Sequence, residues 1–173
     1  MQMNDTRTIA APPAVVWAAL FDPAVLKACV PGCEELTGTA AEGFEAAVVQ
    51  KVGPVKARFT GLVKLSDIVE GESCTISGEG KGGAAGFAKG AARIRLTPEG
   101  EGTVLAYEVD AQVGGKLAQL GSRIIDGFAR KMADDFFTRF QEAVEGPAEP
   151  EAEPEATPEG EAPKKGWFKR LIG

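Results

Sequence analysis

The sequence predicts an α+β domain over residues 1–145, in which a curved antiparallel sheet wraps around one long C-terminal helix, followed by a disordered tail. Three observations carry this expectation. Apolar residues recur every four positions from Leu120 to Val144, the mark of one buried helical stripe. Between Val55 and Ser66 the chain alternates with a period of two, the mark of a strand with one buried face. At Gly146 the composition changes abruptly to Glu, Pro and Ala.

Taken in order, Thr6–Ala10 reads as a first strand. Ala11-Pro12-Pro13 then opens a helix, because proline suits the first helical position. Val15, Val16, Ala19 and Leu20 form its apolar side, with Trp17 at the edge. Asp22-Pro23 starts a second short helix, Asp22 as cap and Pro23 in the first turn, and Pro31-Gly32 ends it. Phe44, Ala46 and Val48 alternate with Glu45, Ala47 and Val49. After a Gly53-Pro54 turn, Val55, Ala57, Phe59, Gly61, Val63 and Leu65 share one face of a long strand. Further strands fit Cys74–Ser77, Ala91–Thr97 and Thr103–Val113, joined by turns into an antiparallel meander. Along the last of these, Glu108 and Asp110 alternate with Leu105, Tyr107 and Val109, so the carboxylates face water if the larger residues face the core. The final element is a helix of roughly 28 residues, or about 42 Å, with Leu117, Ile125 and Phe137 broadening its stripe. Strand, two short helices, meander and long helix, in that order, form a helix-grip layout.

Composition narrows the chemistry. The chain of 173 residues has no histidine, which removes the usual near-neutral general base, Ser-His-Asp and Cys-His pairs, and His-based metal sites. Three cysteines cannot all pair within one chain, and no cleavable secretory signal leads it, so reduced thiols in the cytoplasm are expected. Cys29 and Cys33 are spaced CxxxC, which with Cys74 makes no zinc set. No apolar run of about 20 residues exists to span a bilayer. The net charge of −6 argues against nucleic acid as the main partner. Gly78, Gly80 and Gly83 match GxGxxG. Their neighbours look like antiparallel strands rather than a βαβ unit, so a flexible hairpin or pocket-mouth loop is expected instead of a dinucleotide site.

The charge is unevenly spread. The body carries 15 bases and 19 acids; residues 146–163 carry six glutamates and no base; residues 164–173 carry four bases and no acid. The middle segment also has five prolines and no large apolar side chain, so it is expected to be a disordered, extended linker of roughly 55 Å at about 3.1 Å per residue. The tip reads KKGWFKRLIG. On a helix Trp167, Phe168, Leu171 and Ile172 share a face, with Lys165, Lys169 and Arg170 towards the other and Lys164 leading the segment. A basic amphipathic segment with a Trp anchor suits an anionic membrane surface; docking on a protein groove is the alternative.

Several motifs together resemble the CoxG family of carbon monoxide dehydrogenase subunits. They are Asp22-Pro23-x-x-Leu26, Cys29-Val30-Pro31-Gly32-Cys33-Glu34, Val52-Gly53-Pro54-Val55-Lys56 and Phe59-x-Gly61. The stretch Gly78–Gly90, Thr103-x-Leu105-x-Tyr107 and the run from Val113 to Gly121-Ser122-Arg123 continue the likeness, with Phe136-Phe137 near its end. The resemblance spans about residues 3–145 and implies the START-like, or SRPBCC, helix-grip fold. It also implies association with a molybdenum-containing CO dehydrogenase or related hydroxylase, anchoring at the inner face of the cytoplasmic membrane, and carriage of an isoprenoid quinone (menaquinone or ubiquinone). It supplies no catalytic residues.

The expected function is therefore a non-enzymatic carrier that recruits the dehydrogenase to the membrane. A ligand-free adaptor and an assembly factor for the molybdenum enzyme are the alternatives. Small strand residues (Ala46, Ala57, Gly61, Ala92, Ala106) opposite large helix residues can leave an elongated apolar cavity. Its expected lining is Leu117, Leu120, Ile124, Phe128, Met132 and Phe136 from the helix, with Phe59 and Phe87 from the sheet and glycine loop. The expected membrane contacts are Lys164, Lys165, Trp167, Phe168, Lys169, Arg170, Leu171 and Ile172.

Overall fold

The computed structural model describes residues 1–146. Seven strands run in the order β1-β7-β6-β5-β4-β3-β2, every neighbouring pair antiparallel. They are β1 Gln2–Ile9, β2 Cys33–Thr39, β3 Gly43–Val52, β4 Val55–Val69, β5 Ser73–Lys81, β6 Phe87–Glu99 and β7 Gly102–Gly114. Two short helices, α1 (Pro13–Leu20) and α2 (Pro23–Cys29), join β1 to β2. A single turn, α3 (Lys116–Gln119), precedes the long α4 (Ser122–Glu145). The expected helix-grip architecture is present. The linker and tip expectations fall on residues 147–173, outside the described residues.

The short helices start as their prolines require. Pro12 caps α1 with Pro13 following, and the Asp22 carboxylate accepts from the Ala24 N–H at 2.9 Å. On α1 the buried residues are Val16, Trp17 and Leu20, while Val15 is exposed. Trp17 is thus a core residue rather than an edge one, and its indole N–H donates to Glu70 at 3.1 Å, so its one polar atom is satisfied. Glu108 and Asp110 are exposed, opposite buried Leu105 and Tyr107, as the alternation requires.

Two expectations are corrected. The glycine-rich run is the expected hairpin but is mostly strand rather than loop: Gly78 and Gly80 lie within β5 and pair with Gly90 and Ala88 of β6, leaving only a 3₁₀ turn at Gly83–Ala85 to close it. The C-terminal helix is also not continuous from Leu117. Gly121 has a φ of 90°, a left-handed setting that ends the first turn, and α4 begins after it with 24 residues.

The core is in two parts. The larger cluster joins Ile9, Val16, Trp17, Leu20, Leu105, Tyr107, Phe137 and Phe140, with Cys29 and Cys74 among them. Its aromatic rings form a continuous set: Tyr107 stacks on Phe137 at 5.2 Å, and Phe136 stacks on Phe140 at 5.7 Å. Polar contacts tie α4 to β1 beside it. The Arg7 guanidinium donates to Asp134 at 2.6 Å and lies over the Phe137 ring; Gln141 donates to the Thr8 carbonyl, and Glu145 accepts from the Ala10 N–H. Thr103 is fully buried and donates to the Ala11 carbonyl at 2.7 Å. The smaller cluster, at the other end, holds Val52, Phe59, Ala85, Leu117 and Ile125, with Leu120 and Phe128 partly buried against it.

Candidate functional site

Between the two clusters lies an apolar cavity of about 350 Å³. The register explains it. Successive strands present Phe44, Ala46 and Val48 from β3, Phe59, Gly61, Val63 and Leu65 from β4, and Ile76, Gly78 and Gly80 from β5. Gly61 stands opposite both Ala46 and Gly80, and Val63 stands opposite Gly78. Four adjoining positions on one sheet face therefore carry at most a methyl group. Leu20, Phe21, Leu26 and Val30 from α1, α2 and their flanks form the facing wall, too far from this strip to fill the space. At Gly61 a Cβ would fall 2.2 Å from the Glu79 carbonyl oxygen, so only glycine fits there.

The wall is almost wholly apolar; Cys33, Thr60 and Glu79 are the polar residues along it. The Cys33 thiol donates to the Glu35 carbonyl at 3.4 Å, and burial pushes its pKa up against the pull of nearby Lys27. Burial also raises the Cys29 and Cys74 thiols. All three are free and protonated at neutral pH, so none is an activated nucleophile. Among the described residues no cluster of three or more His, Cys, Asp or Glu could hold a metal ion. A cavity so lined recognises shape and apolarity.

The eight expected lining residues scatter. Phe59 alone lines this cavity. Leu117, Leu120 and Phe128 belong with Phe59 to the smaller cluster, and Phe136 belongs to the larger one. Met132 is half-buried on α4. Ile124 is 41% exposed beside the Gly53 turn, and Phe87 is 38% exposed with its ring against Gly114. Of the small strand residues, Ala46 and Gly61 do line the cavity, Ala57 packs in the smaller cluster, and Ala106 lies on the outer face with Glu108. The missed residues come from α1, α2 and their flanks, from β2 and β5, and from the rest of β3 and β4. Gly78 and Gly80 carried the usable signal, two glycines two apart and hence on one strand face, hidden inside a run that reads as a loop.

The model of the CoxG family, a carbon monoxide dehydrogenase subunit by its description, matches residues 6–145. No curated protein matches the sequence. Among solved structures, a conserved protein from Geobacillus kaustophilus is similar with a TM-score of 0.78 and 29% identity, covering 84% of this chain and 95% of that one. A START superfamily protein from Mycobacterium smegmatis has a TM-score of 0.62 and 14% identity, covering 83% and 97%. A protein from Chromobacterium violaceum has a TM-score of 0.62 and 18% identity, covering 84% and 99%. The last two show the fold alone, which is the START-like one. No helix among the described residues is long and apolar enough to cross a membrane.

Proposed function

The chain belongs to the CoxG family of carbon monoxide dehydrogenase subunits, and from that premise we propose that it is a non-enzymatic carrier and recruitment protein for a molybdenum-containing CO dehydrogenase or related hydroxylase. It holds an isoprenoid quinone in the cavity between its two core clusters and moves it between the inner face of the cytoplasmic membrane and the enzyme. The observation that carries this reading is the cavity. Its walls are apolar, it opens to solvent on one side, and at about 350 Å³ it falls within the range of small-molecule sites. Burying apolar ligand surface there is favourable by about 25 cal/mol per Å². The basic tip at residues 164–173 supplies the membrane contact, through Trp167, Phe168, Leu171 and Ile172 with their flanking bases.

Native mass spectrometry of gently purified protein tests the cargo, with a mass increment matching a prenylated quinone as the expected result. Gly80→Val is the control. A Cβ at Gly80 meets nothing nearer than 4.0 Å, so the backbone accepts a side chain there and valine narrows the cavity. The variant is expected to fold and to lose the increment. Ligand-free wild-type protein would instead support the adaptor reading. At this size the cavity holds a head group rather than a full polyprenyl chain. Deleting the gene separates both from an assembly factor: a carrier predicts dehydrogenase that is active yet uncoupled from respiration. For the tip, liposome flotation of protein with and without residues 164–173 is the check, and equal flotation refutes anchoring.

A further inference from the structure

The structure offers a place for the part of a long ligand that the cavity cannot hold. Phe59 belongs to both regions: one side of it lines the cavity, and the other packs among Val52, Ala85, Leu117 and Ile125. The ring is held against the Gly82 backbone, where a Cβ would fall 2.4 Å from its edge. Phe59 thus stands as a partition between an empty apolar space and a filled one.

The filled side is weakly secured. Leu117, its plug, sits on a four-residue helix between Gly115 and Gly121, both at positive φ. Nothing lies within 4 Å of a Cβ placed at Gly121 or Gly127. Among the described residues no side-chain hydrogen bond or ion pair ties residues 115–130 to the rest of the body. The helix's polar ties to β1 all come later, at Asp134, Gln141 and Glu145. This end can therefore exchange its own packing for a ligand's at little cost in polar contacts.

We propose that Phe59 is a swinging partition, and that the smaller cluster is a latent subsite into which an apolar chain extends from a head group seated in the cavity. Leu117, Leu120 and Phe128 then contact the chain once the partition moves. Phe59 sets how much chain is retained and makes the protein selective for chain length. The inference rests on the reading of the cavity as a ligand site and adds where the ligand goes next.

The probes are naphthoquinones bearing no side chain, or one, two or four isoprene units, titrated into full-length protein. For the wild type, affinity is expected to rise by about tenfold or more over the series, and the Leu117 and Ile125 methyl NMR signals should shift with the four-unit compound but not with the bare ring. Phe59→Trp enlarges the partition. It should lose the gain from added units, read as the ratio of its affinities for the four-unit compound and the bare ring. Phe59→Leu, which shrinks the partition and secures the test if the Trp variant misfolds, should raise that ratio above the wild-type one. A length dependence identical in the wild type and the Leu variant overturns the partition and leaves the cavity reading intact. Failure of every compound to bind the wild type overturns both.

Discussion

The two halves of the core are built to different standards. The larger cluster packs four aromatic rings together, fully buries Phe140, Ile9 and Leu105, and is flanked by ion-paired and hydrogen-bonded ties between α4 and β1. The smaller cluster has two rings, buried Phe59 and partly buried Phe128, and one plug, Leu117, with the glycine hairpin and Gly121 around it. Stability is thus concentrated at one end and adaptability at the other, with the cavity between them. A protein that must take up and release an apolar molecule needs both.

Truncating the largest fully buried side chain gives the greatest effect. Phe140→Ala should cost about 3–5 kcal/mol in denaturant unfolding, because its surroundings are fixed and cannot collapse into the void. Leu117→Ala should cost about 2 kcal/mol, at the low end for such truncations, because α3 can settle into the gap. Equal losses for the two variants would erase the contrast between the clusters.

A smaller effect separates the clusters by pH. Cys29 and Cys74 both lie in the larger cluster, and burial holds their thiols above the ordinary value of 9.0. Above that value the unfolded chain loses protons that the folded one keeps, so stability falls as pH rises through the alkaline range and is unaffected below it. Replacing both with alanine should flatten that decline in pH-dependent thermal melts; an unchanged slope would place its origin elsewhere. Smallest of all, Asp134→Asn should shift stability by less than about 1 kcal/mol. The carboxylate is 66% exposed, and an ion pair so placed is screened by solvent; a larger loss would show that the β1 ties carry the cluster.

Most of the architecture was legible in the sequence, because the alternation of β4 and the stripe of α4 each state which face is buried. The cavity was less legible. A helical stripe says that Phe128 or Phe136 is buried and does not say whether it meets side chains or a void. That answer depends on cross-strand register, which set Gly61 beside Gly80 and Ala46 and lies in no single segment. The glycine run misled for a related reason. Gly78 and Gly80 read as a loop by composition, yet the ladders on either side hold them in a strand.

The ties from α4 to β1 have one more effect. A sheet with two free edges can add strands at both and so polymerise. Here the Gln141 and Glu145 side chains occupy backbone groups at the end of the β1 edge, and no helix side chain among the described residues bonds the β2 backbone. Both groups are thereby withheld from any strand that would pair there, so the long helix guards the end of one sheet edge as well as covering the core.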